Sequence, residues 1–294
     1  MRFSIIVPAY KEKEINEVLK LLLKQSPPAS WKLGKIVVVA CGYKKFPFLK
    51  NKKIRIIKEG RRRGKSYAMN LALKNINSSS KSDAIAVHNA DVFPKRNMLR
   101  NLLRPFENPD VGMTCVRPVS LNDPKKFVGF LNTLVWDLHH FVSLENTKVG
   151  EVFAFRNVIK NIPRGLAADE AYIECLLKGR DYKIVYVPHA VVFNRGPQNL
   201  SEFIEQRRRV FAGHIHVKNR YKYKVSTMSV IRIIKAVFRY LKTEPIEIPG
   251  QIIWLVCAVF LEAYARFLGT VDFYIFKKIP YIWKITESSR NNME

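Results

Sequence analysis

The sequence predicts an α/β fold: a mostly parallel sheet flanked by helices, followed by C-terminal helices suited to a membrane. Three observations predict it. Short apolar runs alternate with helical patterns from Phe3 to Asp91. Those runs are continuous rather than alternating, which suits strands buried on both faces. After Gln198 the chain becomes helical and basic, with eleven Lys/Arg and no acid between Arg207 and Lys242.

Taken in order, FSIIVPAY is an apolar run ended by Pro8 and reads as a buried strand. Ile15, Val18, Leu19, Leu22 and Leu23 then recur at helical spacing, so a helix follows from Glu14 to Lys24. Lys35–Ala40 is a second strand with Cys41-Gly42 as its exit turn, and Ile54–Ile57 is a third. Lys65–Ile76 is a helix, Asn77–Ser82 a loop, and Ala84–His88 a strand carrying Asn89-Ala90-Asp91 at its end. Beyond Val111 the pattern loosens, but Phe127–Val142 and Asp169–Lys178 read as helices, and Glu151–Arg156 and Lys183–Val187 as strands. In a parallel sheet, ligands bind beyond the carboxyl ends of the strands. The loops after Val7, Ala40, Ile57 and His88 are therefore expected to converge on one site.

Leu200–Tyr240 is helical in pattern. Ile231, Ile234, Val237, Phe238 and Leu241 make one apolar face, with Arg232, Lys235, Arg239 and Lys242 outside it. That is the pattern of a helix lying in a membrane interface. Ile248–Phe276 follows, and at roughly 1.5 Å per residue it is long enough to cross a hydrocarbon core of about 30 Å. Glu262, Arg266 and Asp272 interrupt it; the first two are spaced for a helical ion pair. The expectation is a crossing, with an in-plane or re-entrant helix and a buried soluble helix as alternatives. The basic stretch before it marks that side as cytoplasmic. The chain thus divides into an α/β domain over 1–198, a basic interfacial region over 199–243, and a membrane-associated helix and tail over 244–294.

Composition is consistent with this layout. The hydrophobic share of 48% is ample for a core and excludes wholesale disorder. A net charge of +27 implies an anionic partner: nucleic acid, acidic lipid or a phosphorylated small molecule. Cys41, Cys115, Cys175 and Cys257 form no paired metal spacing, which fits a reducing compartment. No charged and apolar leader precedes the strand at Phe3–Val7, so an N-terminal signal peptide is not expected.

Three places can carry chemistry. Asp91, on a strand-end loop, suits a divalent metal held against a diphosphate, because Mg²⁺ and Mn²⁺ prefer hard oxygen ligands; read alone, it is equally a turn former. Arg61–Lys65 gathers positive charge at a Gly turn opening a helix, which suits phosphate, or is a solvated loop. Glu59 is the one acid among eleven Lys/Arg from Lys44 to Lys65. Asp169-Glu170 at a helix start is either a general base or a complement to the helix dipole. Asp137, His139 and His140 are candidates to line an acceptor site or to pack a helix, and His189 beside Pro188 is a candidate third metal ligand. His214 and His216, among basic residues, are expected to face lipid phosphates or water.

Taken together, SIIVPAY, Arg63-Gly64-Lys65 leading into YAMNLAL, Asn89-Ala90-Asp91, Asp169-Glu170 and GRDYKIVYVPHA resemble the inverting glycosyltransferases of family 2, which have the GT-A fold. QRRRV is similar to the Gln-x-x-Arg-Trp motif of the membrane-bound members. The resemblance covers roughly residues 3 to 217. It implies that Pro8, Ala9, Tyr10 and Glu12 form the first nucleotide-binding loop. Arg63, Gly64 and Lys65 would lie beside the nucleotide and diphosphate, as would Asn89, and Asp91 would hold the metal, Mg²⁺ or Mn²⁺. Glu170 is implied as the base, with Asp169 second. Gln206, Arg207 and Arg209 would lie over the diphosphate and acceptor site, and Glu151 falls where the acceptor approaches. The implied donor is a UDP- or GDP-sugar and the implied acceptor is membrane-bound, a polyprenyl-phosphate or lipid-linked glycan.

Three departures qualify the resemblance. Ala40 and Cys41 stand where the family usually has a base-reading Asp, Asn89 replaces the first acid of Asp-x-Asp, and Val210 replaces the Trp of polymer-forming members. Single-sugar transfer is therefore expected rather than processive synthesis. A basic nucleic-acid-binding protein is the alternative from another class. No zinc spacing or aromatic-basic RNA motif supports it, so no nucleic-acid partner is expected. An inactive family member acting as a scaffold is the other.

Overall fold

β1 (Arg2–Tyr10) is the strand that the N-terminal apolar run predicts, and it lies inside the sheet. β2 (Lys32–Cys41) flanks it on one side and β4 (Ala84–His88) on the other, both parallel; β3 (Ile54–Glu59) extends the parallel edge beyond β2. A computed structural model describes residues 1–44, 48–79, 81–244, 250–284 and 286–290. Successive side chains of a strand serve opposite faces, and here both faces are covered. Ile5 and Val7 join a core with α1 (Ile15–Leu23) and α3 (Met98–Leu103), while Ile6 joins another with α2 (Lys65–Ser79) and α5 (Asp169–Lys178).

The complete sheet has eight strands in the order β3-β2-β1-β4-β7-β6-β8-β5. β7 (Val152–Arg156) runs antiparallel to both β4 and β6 (Val111–Ser120); β6 is parallel to β8 (Lys183–Asn194), and β5 (Val92–Pro94) pairs antiparallel at the edge. Because β7 is reversed, it begins where β4 ends, with Val152 opposite His88. That brings Glu151 to the strand-end face. β5 and β6 are additions to the expected elements. β8 also outruns its expected end at Val187, because Pro188, which has no N–H to give the ladder, is looped out with His189 and Ala190 between the pairs Val116–Val187 and Arg117–Val191. Asn77–Ser79, expected as loop, complete α2.

The basic region is two helices rather than one. α6 (Leu200–Tyr221) starts at Asn199, whose side chain accepts from the Glu202 N–H, and stops at Lys222 in the left-handed region; α7 (Val230–Thr243) follows after a turn. α8 (Gln251–Tyr274) is, among the described residues, the helix long and apolar enough to cross a membrane, with a mean hydropathy of 1.8. Ile248 and Pro249, the start of the expected span, lie outside the described residues.

α8 runs alongside α6. A Cβ on Gly269 would come 2.6 Å from the Arg208 carbonyl, so the two backbones meet at a glycine. The charges that interrupt α8 point inward: Glu262 accepts from Arg207 at 2.8 and 3.0 Å and from Arg266 at 2.7 Å, and Asp272 accepts from Arg208. Near its start, Trp254 packs on Phe127 and Phe130 of α4 (Phe127–Glu145), in a cluster that also holds Phe203 of α6 and Tyr240 of α7. The helical region therefore shares its core with the α/β domain. α7 turns Ile233, Ala236 and Tyr240 inward, leaving Ile231, Ile234, Phe238 and Leu241 exposed. Ile253, Val259, Phe260 and Phe267 of α8 are exposed as well. His214 and His216 correct the expectation that they face outward: both are buried, His216 beside the Phe273 ring.

Candidate active site

The strand ends gather one cleft. Pro8, Ala9 and Tyr10 of β1 line it with Glu12, next to Cys41 of β2 and Glu59 of β3. Gly64 and Lys65 at the start of α2 supply the adjoining wall, with Arg62 just before them. Asn89 and Asp91 follow β4, Glu151 precedes β7, and Gln206 and Arg209 reach in from α6. The last wall is the segment after α8, which returns across the strand ends with Tyr281, Trp283 and Lys284. Gly64 has φ +91°, and a Cβ there would meet the Tyr281 carbonyl at 2.9 Å; glycine serves both the turn and the close approach.

The acidic end of the cleft is built from hard oxygen donors. Asn89 Nδ2 donates to Glu151 Oε2 at 2.5 Å. Burial, and then repulsion from Asp91, push the Glu151 carboxyl up to about 7, with Lys65 pulling the other way. A carboxyl raised by a neighbouring carboxylate fits a divalent cation between the two. No group of three His, Cys, Asp or Glu among the described residues could hold a metal. The fit is instead to the mode in which one or two carboxylates share a cation with substrate phosphates. The opposing cations are Arg62, Lys65 and Arg209. Arg209 stacks 4.5 Å from the Trp283 ring and donates to the Lys284 carbonyl at 3.4 Å, while its Nε is buried without a partner among the described residues. Burial lowers its pKa to about 10.

Asp169 and Glu170 stand one layer behind this cleft. Asp169 is 1% exposed and lies 3.4 Å from Lys65 Nζ; Glu170 lies 3.8 Å from Lys148 Nζ. Burial raises the Glu170 carboxyl above its ordinary value, against the pull of Lys148. Lys65 thus bridges the cleft to the acids behind it.

The model of glycosyl transferase family 2 matches residues 4–156, more than half of the chain. The chain is a family 2 glycosyltransferase. A mannosyltransferase from Pyrobaculum calidifontis, determined with GDP-Man and Mn²⁺, is similar in structure, with a TM-score of 0.58 at 17% identity, covering 94% of this chain and 88% of that one. At that identity the likeness is one of fold, and the fold is GT-A-like. No curated protein matches the chain in sequence.

In the transferase, several expected site residues lie elsewhere. Arg63 is exposed and donates to Tyr67 at 2.7 Å; Arg62 lines the cleft instead, 3.9 Å over the Tyr10 ring. Arg207 is held by Glu262 and serves the α6–α8 contact rather than the cleft. His189 corrects the expectation of a third metal ligand: it sits exposed in the β8 bulge, its carbonyl accepting from Asn101 of α3. A Pro-driven bulge turned this imidazole away. Glu59 and the C-terminal segment are the cleft residues that sequence reasoning missed, and Arg62 stood only within the cationic run Arg61–Lys65. Glu59 carried a signal, as the lone acid of a basic run; the segment carried none, since its contacts are long-range.

Proposed function

We propose that the transferase moves one sugar from a UDP- or GDP-sugar to a membrane-bound acceptor, a polyprenyl-phosphate or lipid-linked glycan, by one inverting displacement. The observation that carries this reading is the single cleft at the strand ends, acidic at Asp91 and Glu151 and cationic at Arg62, Lys65 and Arg209. The GDP-Man and Mn²⁺ of the similar mannosyltransferase support a nucleotide-sugar donor and a divalent metal. Asp91, with Asn89 and Glu151, would hold that cation. When bound, it supplies positive charge opposite the departing diphosphate.

The acceptor's attacking oxygen, a glycan hydroxyl or a phosphate oxygen that still carries its proton, bonds to the anomeric carbon as the bond from that carbon to the diphosphate oxygen breaks. The electron pair leaves with the nucleoside diphosphate, and the acceptor's proton passes to a carboxylate. Lys65 and Arg209 offset the growing charge on the leaving group. We assign the proton to Glu170, whose carboxyl is raised by burial and less enclosed than that of Asp169. Glu151 is the second reading if it is left free of the cation, because it lines the cleft itself.

The acceptor's membrane setting is supported by the exposed apolar faces of α7 and α8, with Lys235, Arg239 and Lys242 exposed on α7 to meet anionic head groups. An in-plane seat on the cytoplasmic leaflet accounts for α8 better than a crossing. A crossing carries the two ends to opposite sides, whereas here Trp254 rests on α4 and the chain beyond Tyr274 returns to the cleft. Thermal shift of the purified protein against UDP- and GDP-sugars with Mg²⁺ or Mn²⁺ tests the donor reading. Stabilisation by one nucleotide class is expected; none by any nucleotide overturns it.

A further inference from the structure

The cleft has a direction. Its acids sit at β4 and β7, and from there it extends across β1 and β2 to β3. Strands lie about 4.8 Å apart, so three steps from β4 to β3 span about 14 Å, the reach of an extended nucleoside diphosphate. A donor with its diphosphate at Asp91 therefore carries its base toward Tyr10, Cys41 and Glu59.

At that far end stands a carboxylate with capacity to spare. Glu59 is 9% exposed and pairs in register with Cys41 on the neighbouring strand. Its Oε1 accepts the Arg63 N–H at 2.9 Å, which fixes the carboxyl plane, and its Oε2 takes no hydrogen bond among the described residues. Glu12, the other acid on this wall, follows β1 and so stands two strands nearer the metal end than Glu59. Each carboxylate oxygen has two acceptor sites, so Glu59 can hold Arg63 and still receive two donors.

We propose that Glu59 reads the donor base and selects guanine over uracil, making this a GDP-sugar transferase; the inference rests on the donor reading above. Guanine presents N1–H and the N2 amino group side by side, a pair of donors matched to one carboxylate. Uracil presents a single N3–H between two carbonyls, whose lone pairs oppose a carboxylate on either side. The carboxylate absent at Cys41 is thus supplied one strand over.

Binding of GDP, IDP and UDP to the full-length protein, and to Glu59→Gln and Glu59→Ala, tests this. IDP keeps N1–H and lacks the N2 amino group. The wild type is expected to bind GDP about ten-fold more tightly than IDP, and IDP more tightly than UDP, from the discrimination one bidentate pair carries. Glu59→Gln keeps an oxygen for Arg63 and is expected to bring GDP and IDP to equal affinity; Glu59→Ala should weaken GDP at least ten-fold and leave UDP unchanged. Equal binding of UDP and GDP by the wild type overturns the inference, as does an unaltered GDP-to-IDP ratio in Glu59→Gln. Wild type that binds none of the three nucleotides sinks the donor reading itself.

Discussion

Asp91, Glu151 and Glu170 are three carboxylates within one electrostatic neighbourhood, and their substitutions separate three roles. Asp91→Ala is expected to remove metal-dependent donor binding, read by calorimetry with and without Mn²⁺. Glu170→Gln should keep donor binding and lose transfer by about 10²–10⁴-fold, the range for a missing general base. If Glu170→Gln transfers normally while Glu151→Gln does not, the proton goes to Glu151. His139 yields a test of a different kind. Burial, then the charges of Lys148 and His140, lower its pKa to about 3. The unfolded chain takes up this proton below about 6.5, while the folded chain resists it down to about 3. The stability tied to a neutral His139 is therefore present above 6.5 and lost as pH falls. Relative to His139→Phe, the wild type should lose about 1.4 kcal/mol per pH unit below pH 6; parallel melting curves would refute this. At this scale the sequence was legible wherever a residue follows a strand or opens a helix, as with Asp91 and Lys65. It misled where neighbours decide orientation, as with Arg63 against Arg62, and His189 in its bulge.

Elements show the same division. Strands β1 to β4 were readable because burial on both faces leaves continuous apolar runs. β6 was not, since VGMTCVRPVS contains Gly112 and Pro118 and follows neither period. β5 is three residues long and exists only by pairing with β8. The amphipathic pattern of α7 was readable, and Ile231, Ile234, Phe238 and Leu241 of its apolar face lie exposed. Replacing Ile234 and Phe238 by Asp should weaken binding to anionic vesicles by more than ten-fold, since each buried apolar side chain is worth about 1.5–3 kcal/mol. Their melting temperature should hardly change, because both side chains are exposed. Unchanged sedimentation with vesicles would remove α7 from the membrane contact. For α8 composition alone allowed a crossing; only the contacts of Trp254, Gly269 and Asp272 with the rest of the chain reveal a helix laid along α6.

Across the whole molecule, the site was legible as a convergence of strand ends and illegible as an enclosure. The net charge of +27 signalled anionic partners without separating donor from lipid. In the structure these charges fall in two places: Arg62, Lys65 and Arg209 line the cleft, whereas Lys235, Arg239 and Lys242 stand on α7. Ending the chain at Lys278 removes Tyr281, Trp283 and Lys284 from the cleft wall and uncovers Arg209. Donor affinity should fall about ten-fold, on the scale of a lost cation–π contact together with a lost hydrogen bond; unaltered affinity would assign the segment to packing only. The returning segment has one more consequence. Ser288 is fastened to Gln198 and Glu202 at the threshold of α6, so the strap is pinned at one end by α6 and at the other by the exposed, apolar α8. Whatever occupies the cleft therefore meets a wall that α6 and α8 hold in place together.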